Sequence, residues 1–280
     1  MATDQEGDIV EYSMRVMDVE GESSAMNTSV VEYQNAPNVK YEDIPITSIE
    51  EAVEALAPLI PDIQRRTEEI KSRYLNPPSD GLTLDQSVSI RLYSTQWMPR
   101  NKSLYIVLNA TLRSKDKEKL KPWFRYIKLF LTALEQLPKY SRTVYRGVKA
   151  DLHADYPKGK DIEWWAFSSC TDRIGVLEHE SFLGKTGERT LFNIECVSAK
   201  NIEKHSAFEK ENEVLLPPGI QFEVIDCLHL NNGLYIIQLR EKQTAQPRLD
   251  SFLMSNSTTI SEGKMSVIVL IKTGHEQSQW

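Results

Sequence analysis

The sequence predicts an α+β fold in which a helical half precedes a sheet half. Three observations carry this reading. Apolar residues recur at helical spacing between residues 48 and 137. From residue 142 the period shortens to that of strands, in runs of β-branched and aromatic residues. Between the last two runs stands Asn231-Asn232-Gly233, a tight hairpin turn. Helices first and strands afterwards oppose the alternating order of a parallel α/β sheet.

Each element has local grounds. Ser48 with Glu51 fits a capping box; Ala52, Val53, Ala55 and Leu56 follow as a short helix that Pro58 ends. Pro61 suits the first turn of a second helix over residues 61–75, with Ile63, Ile70 and Tyr74 on one side and Asn76-Pro77-Pro78 as its stop. Thr83 with Gln86 is another capping box, and Leu84, Val88, Leu92 and Thr95 describe a third helix reaching Trp97. After a break at Met98-Pro99, the flanks of residues 103–112 favour helix over strand. Residues 116–137 form the longest helical pattern, and its aromatic members Trp123, Phe124 and Phe130 read as core. Strands are predicted over 143–148, 162–168, 190–197, 213–216, 221–228 and 234–239, with a short helical link at 178–183. Residues 30–33 could add an edge strand, and 265–271 is an apolar run that could return as another.

The chain has 280 residues, 40% of them hydrophobic and 26% charged, which suits a soluble globular protein with an ample core. The formal net charge is −7, yet residues 1–50 alone carry −9, with eleven acids against Arg15 and Lys40. The rest of the chain nets +2 and lacks the basic footprint of a nucleic-acid binder. Cys170, Cys196 and Cys227 are far apart with no C-x-x-C pairing, so buried reduced thiols are expected and structural zinc is not. No signal-peptide pattern opens the chain and no apolar run is long enough to span a membrane. A cytoplasmic protein with no membrane association is expected.

Three stretches carry chemistry. Glu211 and Glu213 stand two residues apart at the entrance to Val214-Leu215-Leu216, a run that Pro217-Pro218-Gly219 ends. On a strand both carboxylates fall on one side, and like charges so close are either solvated at an edge or functional. Arg146 lies within Val144-Tyr145-Arg146-Gly147-Val148 and there needs a partner. That partner is a structural carboxylate or a diphosphate, which a guanidinium fork matches, and Gly147 allows close backbone approach. The hydroxyls of Phe167-Ser168-Ser169-Cys170-Thr171, after Trp164-Trp165, can orient a polar ligand or cap a turn. There is no G-x-G-x-x-G, and Gly184-Lys185-Thr186 lacks the upstream glycine of a phosphate loop. The five histidines show no metal-ligand spacing, and His205 is expected on a surface loop.

In order and spacing, Tyr145-Arg146-Gly147, then Phe167 to Thr171, then Glu211-Asn212-Glu213 with its aliphatic run and Pro217-Pro218 resemble the arginine-specific mono-ADP-ribosyltransferases, whose three motifs are named R-S-E. The segments Leu92-Tyr93-Ser94-Thr95 and Leu108-Asn109-Ala110-Thr111-Leu112-Arg113 look like that family's helices before the sheet. The resemblance implies a helical subdomain packed on a mainly antiparallel split β-sheet. It covers about residues 45–240, so 44–245 are expected to form the catalytic domain; residues 1–43, acidic, Ser/Asn-rich and aperiodic, read as a mostly disordered tail, and 246–280 as an extension. It implies NAD as co-substrate with no metal. ADP-ribose would pass to arginine side chains of acceptor proteins, nicotinamide would leave, and the enzyme would be a monomer with no nucleic-acid partner.

Carried over by position, Arg146 and Gly147 would hold the NAD phosphates and ribose, and Ser169 would orient the second glutamate. Glu213 would stabilise the oxocarbenium-like transition state, Glu211 would deprotonate the incoming guanidinium, and Phe208 would contact the acceptor. The usual Ser-Thr-Ser triplet is Ser169-Cys170-Thr171 here, which raises the expectation of a redox-sensitive site. The alternatives are an NAD glycohydrolase, in which water replaces the guanidinium, and an inactive NAD-binding module. Glu211 favours transfer.

Overall fold

The computed structural model describes residues 43–74, 76–180, 182–208 and 212–243. The acidic tail, the candidate strand at 30–33, Glu211 and residues 246–280 lie outside the described residues.

Among the described residues five α-helices come first: α1 (Ile49–Glu54), α2 (Ile63–Ser72), α3 (Leu84–Ser94), α4 (Leu104–Arg113) and α5 (Phe124–Gln136). Ser48 caps α1 by accepting the Glu51 N–H. Thr83 and Gln86 cap α3 reciprocally, with bonds of 3.2 and 2.8 Å. Three boundaries differ from expectation. The second helix begins after Asp62, which takes a left-handed backbone (φ 57), while the Pro61 carbonyl accepts from the Trp97 indole. The third helix stops at Ser94 because the Ser94 and Thr95 hydroxyls both donate back to the Arg91 carbonyl, at 2.9 and 2.8 Å. The pattern at 116–137 is not one α-helix. Pro122 lacks an N–H, so Lys117–Trp123 winds as a 3-10 helix before α5 begins.

Nine strands follow among the described residues: β1 (Lys139–Tyr140), β2 (Thr143–Val148), β3 (Asp161–Trp164), β4 (Ser168–Thr171), β5 (Arg189–Glu195), β6 (Ala199–Asn201), β7 (Glu213–Leu216), β8 (Ile220–Leu230) and β9 (Leu234–Glu241). Their order is β1-β6-β7-β4-β2-β5-β9-β8-β3, antiparallel throughout except the β5–β9 pair. The predicted strand at 162–168 is two strands. β3 pairs with β8 at one edge, whereas β4 pairs with β7 and β2. Residues 165–167 make that crossing. The Asn109 amide on α4 takes both main-chain groups of Phe167, accepting its N–H at 3.2 Å and donating to its carbonyl at 3.1 Å. A helix side chain thus replaces the ladder where the strand breaks. The helical link lies earlier than expected, as a 3-10 helix at Ile174–Glu178; beyond it the Leu183 and Gly184 N–H groups fold back onto the Leu177 carbonyl. The short strands β1 and β6 were not predicted.

The sheet is split at one seam. Between β2 and β4 the ladder is a single bridge, Tyr145 opposite Thr171, while β2 pairs with β5 over its whole length. One face of β7 sends Leu215 into the core of the helical half, with Phe167 and Ile202. Val214, Leu216 and Cys170 enter a second core with Phe192, Phe222 and Trp164. Alternation along β7 therefore puts Glu213 on the Leu215 side, toward the helices. Cys227 is only half-buried, unlike Cys170 and Cys196.

Candidate active site

Glu213 opens β7 and is fully buried, so each carboxylate oxygen must find a donor. Ser169 Oγ on β4 donates to Oε1 at 2.8 Å. Ser206 Oγ donates to Oε2, also at 2.8 Å. The carboxylate is gripped from both ends and its rotamer is fixed. The backbone in front of it is unusual. Asn212 is left-handed (φ 48), a conformation asparagine tolerates far better than a branched residue.

Arg146 is one residue beyond the lone β2–β4 bridge, where the two strands part. Its Nη1 donates to the Ser169 carbonyl at 2.8 Å, so a guanidinium does there what a ladder bond does elsewhere. The side chain is 1% exposed. Arg146, Ser169 and Glu213 form one connected chain of contacts across the seam. Gly147 is explained by packing. A Cβ on it would meet Leu183 Cβ at 3.0 Å, so the close approach is from a side chain of the neighbouring apolar cluster.

The loop between β6 and β7 carries the remaining parts. It is closed by the Ile202 N–H donating to the Glu213 carbonyl at 3.0 Å. The His205 and Ser206 N–H groups turn back onto the Ile202 carbonyl. The Ala207 N–H donates to Ser94 Oγ at the end of α3, and the Phe208 N–H to Ser206 Oγ. Phe208 is half-exposed. Glu211 lies outside the described residues.

His205 is not on the surface. It is 1% exposed, with Nδ1 2.8 Å from Ser87 Oγ and Nε2 3.3 Å from Asp80. The carboxylate requires a donor at Nε2, so in the neutral ring Nδ1 accepts from Ser87, whose oxygen lies 2.8 Å from the Tyr74 hydroxyl. Burial pushes the His205 pKa down, and the hydrogen bond from Lys204 holds the Asp80 carboxyl below its usual range. Ser87, His205 and Asp80 have the connectivity of a hydrolase triad, but Ser87 is fully buried and offers no nucleophile. The network anchors the loop. Cys170 is fully buried and faces the sheet core, on the opposite side of β4 from Ser169. A thiol placed there is inert, which opposes redox control through it.

Sequence reasoning missed Ser206, His205 and Asn109 as parts of this site. Only Asn109 had a signal, as a polar residue on the buried face of an apolar helix. Among the described residues, no cluster of three or more His, Cys, Asp or Glu side chains is arranged to hold a metal ion. Nor is any helix among them long and apolar enough to cross a membrane.

The profile of the family described as NAD:arginine ADP-ribosyltransferase matches residues 25–246. The chain belongs to that family. A Mycobacterium avium (strain 104) protein named as a candidate NAD(+)–arginine ADP-ribosyltransferase, Mav, is 31% identical over 113 residues, 39% of this chain and 13% of its own length. Vis of Vibrio splendidus (strain 12B01), named in the same way, is 30% identical over 119 residues, 40% of this chain and 48% of its own length. The chain thus spans less than half the length of these curated relatives. Among solved structures, the type III effector XopAI of Xanthomonas axonopodis pv. citri shares the fold, with a TM-score of 0.50, 18% identity, and coverage of 70% of this chain and 88% of that one. The helices and the mainly antiparallel sheet observed here agree with the α+β fold that the family resemblance implies.

Proposed function

We propose that this chain transfers ADP-ribose from NAD to arginine side chains of acceptor proteins and releases nicotinamide, with residues 44–245 as the catalytic domain. The observation that carries the reading is the double grip on Glu213 by Ser169 and Ser206, in contact with Arg146 through the Ser169 main chain. A buried carboxylate held at both oxygens is preorganised where positive charge develops on the ribose as the nicotinamide bond lengthens. Arg146 serves the NAD phosphates and ribose, and its bond to the Ser169 carbonyl ties its position to that of the serine beside Glu213. Glu211 orients and deprotonates the acceptor guanidinium, whose ordinary pKa is above about 12. Phe208 contacts the acceptor. The chain works as a monomer in the cytoplasm, a reducing compartment that suits a protein whose cysteines are thiols.

Labelled NAD incubated with agmatine or polyarginine tests this. A labelled adduct is expected, lost in Glu211→Ala while nicotinamide release continues. Release of free ADP-ribose alone identifies a glycohydrolase, and absence of NAD turnover identifies a binding module.

A further inference from the structure

A cleft of about 300 Å³ opens between α2, the end of α3 and residues 207–208. Among the described residues its walls carry three guanidinium groups, Arg66, Arg73 and Arg91, and one carboxylate, Glu69. Glu69 is already paired with Arg65. Two donors of these walls, Arg66 Nε and Gln96 Nε2, are shielded from solvent and have no hydrogen-bond partner among the described residues. Shielded donors without acceptors are costly, and an anion is the group that satisfies them. Arg66 is held in place, because its guanidinium lies 4.7 Å from the centre of the buried Trp97 ring. Arg73 is exposed and makes no ion pair among the described residues. Phe208 supplies an aromatic edge.

Position gives the cleft its meaning. Ala207 and Phe208 directly follow Ser206, the residue that grips Glu213. A molecule seated in the cleft touches the loop whose Ser206 holds the Glu213 carboxylate. Arg66 and Arg73 there oppose the approach of a lone guanidinium, the substrate of the proposed reaction. A carboxylate next to the target arginine reverses that sign.

We propose that this cleft is an acceptor-docking site that takes an aspartate or glutamate side chain lying close to the target arginine in the acceptor protein. The inference rests on the transferase reading above, and its test separates the two. The full chain is given agmatine and three peptides that differ only in residues flanking one arginine: acidic, alanine or lysine. The acidic peptide is expected to exceed the alanine peptide about tenfold in kcat/KM, the scale of a partly shielded charge pair, and the lysine peptide to fall below both. Added salt narrows the gap. Arg73→Glu, normalised to its own agmatine turnover, is expected to erase or invert the preference, and Arg73→Lys to keep most of it. Equal use of the three peptides overturns the proposal, as does a preference that survives Arg73→Glu. A raised KM for NAD in Arg73→Glu with agmatine as acceptor also overturns it, by assigning the cleft to the dinucleotide. Failure of the unaltered chain to turn over agmatine removes the transferase reading itself.

Discussion

Ser206→Ala isolates one contact of the site. The substitution deletes the donor to Glu213 Oε2 and leaves the Ser169 bond to Oε1 in place. A hydrogen bond to a charged group contributes about 1.5–3 kcal/mol, and more of it is felt where water cannot substitute, as at the fully buried Glu213. If the whole amount is lost from the transition state, kcat falls about 10- to 150-fold. The Ser206 hydroxyl also accepts the Phe208 N–H, so acceptor binding could be disturbed as well. Nicotinamide release measured without acceptor, at saturating NAD, removes that complication. The expected result is a lower kcat with KM for NAD little changed, and partial recovery in Ser206→Thr, which keeps a hydroxyl. A melting temperature a few degrees lower is compatible with the argument. A kcat within about twofold of the unaltered protein would refute it, because a bond to a reacting carboxylate cannot be removed so cheaply.

Three further outcomes follow from the same geometry. Asn109→Leu removes both bonds to the Phe167 main chain inside the helix–sheet interface, so stability should fall by about 2–4 kcal/mol, read by chemical denaturation; an unchanged midpoint contradicts the bridging role. His205 is held below its ordinary pKa by burial, so its contribution is present above pH 6.5, the usual value, and is lost as pH falls through the lower folded value. The melting temperature should therefore drop between pH 7 and 5 more steeply than in His205→Gln, and parallel curves would exclude the buried ring as the cause. Gly147→Ala would bring a methyl to 3.0 Å from Leu183 Cβ and should cost about 1–3 kcal/mol by overpacking; Leu183→Ala in the same chain should recover part of it.

Much of the helical half was legible because its signals are local. The Thr83–Gln86 box spans three residues, and α4 and α5 show their buried stripe at helical spacing. Errors came where a side chain or a missing N–H overrode periodicity, as at Pro122 and at Ser94 with Thr95. The strand at 162–168 was misread because apolar composition does not say which neighbour a residue pairs with. Asn109, 58 positions away, breaks that run.

From the residues alone came the order of the elements, the split between a helical and a sheet half, and the succession of arginine, hydroxyl and glutamate that marks the family. Periodicity and motif order are properties of neighbours along the chain, and they are written in it directly. Only the tertiary structure decided that Glu213 is gripped by a second serine. The same holds for His205, which is buried and anchors its loop through Ser87, 118 positions earlier. Hydrogen bonds across such distances depend on where strands and helices come to rest, and no stretch of sequence carries that position by itself.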